Sequence, residues 1–244
     1  MRKVLRTLKG YTGRVLRDIS RKLGTVPEGG LRTQIEQRLA LVTRLLRQTP
    51  KSAGKLYALH EPEVDCISKG KARVRYEFGT KISVATTLNG GLIVGMRSLP
   101  GNPYDGHTLA EALEQVAILT NHPPKRVVVD RGYKGHGVTA AQVLISGTRR
   151  GLTPALAKLL RRRSSIEPEI GHMKTDCRLS RCFLRGTIGD AIFAVLCGCG
   201  HNLRKILAYL RAWLAQFIAA VLDLSRAMQN SRDNYATARP SCSG

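Results

Sequence analysis

The sequence predicts an α/β protein. Three observations carry that prediction. The middle of the chain holds short runs that alternate polar with apolar residues or are rich in β-branched residues, the signature of strands. The N-terminal region shows apolar residues at helical spacing, and the C-terminal part reads as mostly helical. The resulting order is helices, hairpin, helix, strand, strand, helices, which is a mixed α/β sequence of elements.

Taken from the N-terminus, Leu8, Val15, Ile19 and Leu23 recur at roughly helical spacing, although Gly10 and Gly13 are poor helix formers. Leu31, Ile35, Leu39, Val42 and Leu46 follow at steps of four, four, three and four, which makes a cleaner amphipathic helix. The stretch 24–30, with its three glycines and proline, reads as the loop between them. Lys81–Thr87 alternates as a half-buried strand, and Leu92–Met96 is a second strand. Asn89-Gly90 lies between, so a tight hairpin turn is expected there. Asn102–His107 is a loop, followed by a helix from about Thr108 to Leu119. Arg126–Asp130 is a short buried strand that ends on a carboxylate, and Gln142–Ser146 is another strand. A helix opens at Arg161–Pro168, the chain stays mostly helical to about Ala227, and a disordered tail is expected from Gln229.

The chain has 244 residues, enough for one large domain or two small ones with a real core. Its 40 Lys+Arg against 17 Asp+Glu give a formal charge of +23, which points to a polyanionic partner. A hydrophobic content of 43% excludes wholesale disorder. An aromatic content of 5% is thin for a protein that grips single strands by base stacking. The surplus is dense at 1–50, where 12 Lys/Arg meet 3 Asp/Glu, and again at 149–185, where 10 meet 3. One-signed surpluses of this kind suit either solvated helix faces or contact with a DNA backbone. The six cysteines show no framework spacing and read as reduced thiols. Cys197, Cys199 and His201 lie two residues apart, on different sides of a helix, which disfavours zinc. The apolar stretch 188–224 is interrupted by Asn202, Arg204, Lys205 and Arg211, so buried or partner-facing helices suit it better than a membrane span.

Three places could carry chemistry. Asp130 follows three valines, so it is held rigidly at a strand end, either as a metal ligand facing a crevice or as an ordinary turn cap. Glu167 has Arg163 four residues before it and Lys174 seven after, on one helix face; it could hold a metal beside phosphate-binding cations. Its bland role is the second half of a capping box with Ser164. Asp105 most simply caps the helix near Thr108, with His107 as a loop residue or a substrate contact.

Four stretches give the chain a family likeness: Tyr76–Lys81, Leu99–Leu109, Val129–Tyr133 and Arg163–Lys174. It resembles bacterial insertion-sequence transposases with an Asp-Asp-Glu (DDE) site, of the insertion sequence five group. In the family's signature an Arg is followed after three residues by the catalytic Glu, and after six more by Lys. Arg163, Glu167 and Lys174 keep that spacing, while Leu160 stands where the signature has Tyr. The resemblance implies a ribonuclease-H-like mixed sheet with surrounding helices, over about residues 1–210. It implies two Mg²⁺ ions that activate water and then a 3′-hydroxyl for in-line attack on a phosphodiester. On that reading Asp130 and Glu167 are catalytic residues and metal ligands, and Arg163, Lys174 and His172 bind DNA. The partners would be double-stranded DNA, as element ends and target, and other copies of the chain, with no membrane. The setting would be the bacterial cytoplasm, at the nucleoid.

The family's first carboxylate ends a strand that precedes the basic helices, and no such strand is seen here. Asp18 is on a basic helix, and Asp65 reads as loop. The resemblance therefore implies a fold lacking its first strand, from a truncated or frameshifted copy. The missing strand would lie between those of 81–87 and 126–130, so the chain alone would be poorly stable and catalytically incomplete. The domain expectation is a basic, insertion-like helical region at 1–50, the DDE core at 51–210, and a C-terminal helix with a disordered tail at 211–244. The functional expectation is DNA cleavage and strand transfer in an impaired form, or a non-catalytic DNA-binding remnant or inhibitor.

Overall fold

The computed structural model describes residues 2–68, 75–147, 151 and 153–237; the side chains of 2 and 231–237 are not described. The chain opens with two helices, α1 (Arg2–Lys22) and α2 (Gly30–Arg47). Helix α1 runs straight through Gly10 and Gly13, so their poor propensity, about 1 kcal/mol each, does not break it. A single 3-10 turn (Leu23–Thr25) and an extended Val26 separate the two. Neither the α1 apolar residues Val4, Leu5, Leu8 and Val15 nor Leu31 of α2 reaches a core: all are more than half exposed.

Strand β1 (Asp65–Ser68) pairs antiparallel with β2 (Tyr76–Gly79). This corrects the loop expected around Asp65: its Oδ2 accepts from the Gly101 N–H at 2.8 Å, and the residue begins a strand. The predicted hairpin is present as β3 (Lys81–Thr86) and β4 (Ile93–Leu99). Its turn differs from the tight Asn89-Gly90 form. Thr87 N–H bonds to the Leu92 carbonyl at 2.9 Å, so Leu88–Gly91 form a four-residue loop in which Gly90 and Gly91 both take positive φ. The register slips between Ala85 and Thr86, leaving Val94 as an extra residue on β4. That bulge changes the phase of the strand. Met96 and Ile93 both face Gly198 of the last helix, while Gly95 faces Val116 of the central one.

The central helix α3 (Asp105–Thr120) starts three residues before the predicted Thr108. Asp105 is therefore its first residue and makes no capping hydrogen bond. Beyond it, β5 (Arg126–Val129) pairs in parallel with β6 (Gln142–Ile145). The chain is α/β as predicted, but the strands form three separate pairs. Among the described residues β3 pairs with β4 alone and β5 with β6 alone, so no continuous mixed sheet joins them.

Helices α4 (Pro154–Arg162) and α5 (Ile166–Thr175) are joined by a 3-10 turn at Arg163–Ser165. The turn has a cause. Pro168 cannot donate to the carbonyl four residues back, at Ser164, and its ring crowds that carbonyl. Helix α6 (Gly186–Thr237) completes the fold. It continues through Gln229, where a tail was expected, as far as Thr237; residues 238–244 of that expected tail lie outside the described residues, as do Arg149 and Arg150 of the second basic stretch.

The core lies where α5 and α6 cover the hairpin. Ile93, Met96, Met173, Ala194 and Cys197 are buried together, with Ile82, Val84 and Phe193 packed around them. On the other side of β4, Leu109, Ala112 and Val116 of α3 are also buried, as are Leu99 and Val129. Asn202 of α6 locks the two layers. Its side chain accepts from the Ile93 N–H at 2.7 Å and donates to the Ile93 carbonyl at 2.8 Å. The amide thus serves β4 as a neighbouring strand would.

Candidate functional site

Val127–Val129 form a β-branched strand, and the chain turns sharply at its end. Asp130 sits at that turn with extended backbone. Its Oδ1 accepts the Gly132 N–H at 2.7 Å, which is the turn-cap role. Its Oδ2 is free of that duty and accepts from Arg163 Nη2 at 3.3 Å. The turn-cap reading of Asp130 therefore holds for Oδ1, while Oδ2 is engaged by an arginine. Gly132 is needed here: a Cβ would come within 2.5 Å of Asp105 Oδ2 and 3.1 Å of Asp130 Oδ1. Asp105 is in turn held by Lys81 Nζ at 2.6 Å, and that ammonium also bonds to the Pro103 carbonyl at 2.9 Å. Tyr133 closes the turn against β3 and α3. Burial pushes its phenol pKa up, while hydrogen bonds with Ser83 and Thr108 oppose the shift.

Glu167 lies on the first turn of α5 and is well exposed. The capping box does not form. The backbone is helical through Arg163–Ser165, and the Ser164 and Ser165 hydroxyls bond back to the carbonyls of Arg161 and Arg162. Glu167 is thus released from its bland role. Arg163 Nη1 lies 3.8 Å from its Oε1. The structure brings Asp130 and Glu167 to one guanidinium, 28% exposed, with a different nitrogen facing each.

The other two predicted DNA contacts differ in their freedom. Lys174 is exposed near the end of α5. His172 Nδ1 sits 3.1 Å from Asp176 Oδ2, and Arg204 approaches the same oxygen at 3.1 Å. Hydrogen bonds from His172 and then Thr175 hold the Asp176 carboxyl below its usual pKa. His107 meets Tyr104 edge to ring at 5.4 Å and joins neither carboxylate.

A second polar cluster was not foreseen. Glu169, 16% exposed, ion-pairs with Lys205 and lies 3.0 Å from His201 Nε2. That contact lacks hydrogen-bond alignment, so the buried His201 Nε2 is left without a hydrogen bond. The i,i+4 spacing of His201 and Lys205 places both on one face of α6; what sequence could not show is that Glu169 meets that face.

The residues do not fit a two-metal centre. Among the described residues no three His, Cys, Asp or Glu side chains converge to hold a metal ion. Asp130 and Glu167 are instead paired to Arg163, whose positive charge sits where a cation would be needed. Cys197 and His201 are buried and Cys199 is exposed, in keeping with the sides of the helix expected for them.

The comparison with known families gives a match over part of the chain. Residues 32–144 match the transposase DDE domain. The matched stretch runs from α2 to β6 and includes Asp130; Glu167 and α5 lie beyond it. No curated protein and no solved structure matches the chain. The DDE-domain match supports the transposase resemblance on residues that do not depend on the Arg163–Lys174 signature.

Proposed function

We propose that this chain acts on DNA as a transposase-type protein that binds double-stranded DNA, with a catalytic centre that is incomplete in its described residues. The observation that carries the reading is the meeting of Asp130, Glu167 and Arg163 beside a domain matched as transposase DDE. In this reading the cationic α4–α5 segment, with Arg161, Arg162 and Lys174 exposed, tracks the phosphate backbone. Arg163 holds the two carboxylates and contributes less to the DNA than its charge suggests. Asp130 and Glu167 are the residues that the DDE resemblance assigns to metal-assisted cleavage. They are two carboxylates where that chemistry uses three, which favours binding without cutting.

The test is direct. Anisotropy titrations of a labelled duplex against the full chain, over a salt series, should give a steep loss of affinity with salt, about one log-log unit per phosphate neutralised. A nicking assay with Mg²⁺ or Mn²⁺ should show no cleavage. Affinity flat with salt would sink the binding reading. Metal-dependent nicking that Asp130→Ala abolishes would sink the statement that the centre is incomplete.

A further inference from the structure

Helix α6 leaves the body of the protein after Lys205. From Ile206 to Asn230 every residue is exposed. By length and composition the stretch Gly186–Asn230 is apolar enough to cross a membrane, with a mean hydropathy of 1.5 in its best window and none of that window buried. An apolar helix of this length does not stay bare in water.

The pattern of its side chains says what covers it. Leu207, Leu210, Leu214, Phe217, Val221 and Leu224 follow one another at steps of three, four, three, four and three. Leu203 and Met228 extend the series by a step of four at each end. This is an unbroken seven-residue repeat with apolar residues at both seam positions. Trp213 stacks on Phe217 at 5.8 Å beside the seam. The intervening faces carry Ala208, Ala212, Ala215 and Ala219, together with the charges Arg211, Asp223 and Arg226. Ile206, Tyr209, Trp213, Ile218 and Leu222 are the large apolar residues off the seam, and Ile206 and Trp213 flank it. Lipid tails give no reason to sort large residues from small ones by a seven-residue repeat; a partner helix does, because each seam residue must fill a hole between four others.

We infer that α6 from Leu203 onward pairs with the same segment of a second copy of this chain, along the seam Leu203–Met228. The seam residues are 46% to 65% exposed. With Trp213 and Ile206 they offer on the order of 800 Å² per helix, the size of a standard stable interface on each partner. A seam that repeats along one helix is complementary to its own copy, so two chains close on each other with no third component. This inference stands on the helix alone and does not depend on the DNA reading.

The test uses the full chain in detergent-free buffer. Sedimentation across the micromolar range should show a concentration-dependent dimer. Leu214→Glu, which puts a charge in the seam, should weaken association by at least about a hundred-fold. Ala215→Glu, one residue away on the outer face, should leave it unchanged. Circular dichroism should show that both variants keep their helix content, as expected for substitutions far from the core. A wild-type chain that is monomeric throughout would overturn the inference. So would equal effects of the two variants, or a monomer that floats with phosphatidylcholine vesicles, which would assign the helix to a lipid surface.

Discussion

Arg163 donates to Asp130 at 3.3 Å across 33 residues of sequence, and the same side chain reaches Glu167 one helical turn away. The pairing fixes the electrostatic sign of the site. An arginine engaged by two carboxylates has little charge left for a phosphate. Removing one carboxylate charge should therefore strengthen DNA binding. Asp130→Asn is expected to raise duplex affinity several-fold and to steepen the salt dependence by up to one unit, while Lys174→Ala should weaken binding and make it shallower by about one unit. Salt-series anisotropy measures both. If Asp130→Asn weakens binding instead, Arg163 is not held away from the DNA by its carboxylates.

Asn202 gives the second prediction. Its two hydrogen bonds to Ile93 span 109 residues and tie α6 to β4 at the edge of the core. Asn202→Ala leaves the Ile93 N–H and carbonyl facing a helix with nothing to bond. The cost should be about 2–3 kcal/mol, or roughly 5–10 °C in Tm for a chain of this size. Thermal denaturation followed by circular dichroism checks it; a shift under 2 °C would mean that water serves Ile93 as well as Asn202 does.

The elements of this fold were largely legible, but of their pairings only the β3–β4 hairpin was. Alternation and valine content marked β3–β6 because half-buried strands impose a period of two. Asp65–Ser68 was missed because Glu61-Pro-Glu-Val ahead of it reads as loop, and four residues are too few to show a period. The turn at Leu88–Gly91 was misread because Asn89-Gly90 is a strong local signal, whereas a second glycine and the Thr87–Leu92 bond set the real loop. Asp130, Glu167 and Arg163 were picked out from spacing and resemblance, but only the folded chain shows Arg163 between the carboxylates. Glu169 with His201 and Lys205 could not be found from sequence, since that contact depends on how α5 docks on α6.

The cysteines offer a chemical test of the core. Cys197 is buried, and desolvation followed by the nearby Cys177 and Cys182 pushes its thiol pKa up to about 11. A raised pKa leaves the thiol protonated until the pH approaches that value, and the thiolate is the reacting species. Cys199, two residues along the helix, is exposed. At pH 8 iodoacetamide should label Cys199 rapidly, with Cys197 at least a hundred-fold slower. Peptide mapping by mass spectrometry distinguishes them. Comparable labelling would show that α6 leaves the hairpin readily in solution.

The last prediction concerns Gly91, which holds φ at +62° and sits against the Glu169 carboxylate, so closely that a Cβ would collide with it. Two costs follow from Gly91→Ala. The left-handed backbone costs an alanine about 1 kcal/mol. The methyl group must also push Glu169 away from Lys205 and His201, leaving three polar groups in a poorly hydrated place with worse partners, for about 1–2 kcal/mol more. Gly101 separates the two costs. Its φ is +77° and no atom lies within 4 Å of the Cβ it would carry. Gly101→Ala therefore pays the backbone cost alone. Chemical denaturation of both variants should find Gly91→Ala less stable by the larger amount. Adding Glu169→Ala should remove most of the difference, because the colliding carboxylate is gone. Equal destabilisation of Gly91→Ala and Gly101→Ala would show that Glu169 moves aside freely and that the α5–α6 cluster contributes little to the packing of the hairpin.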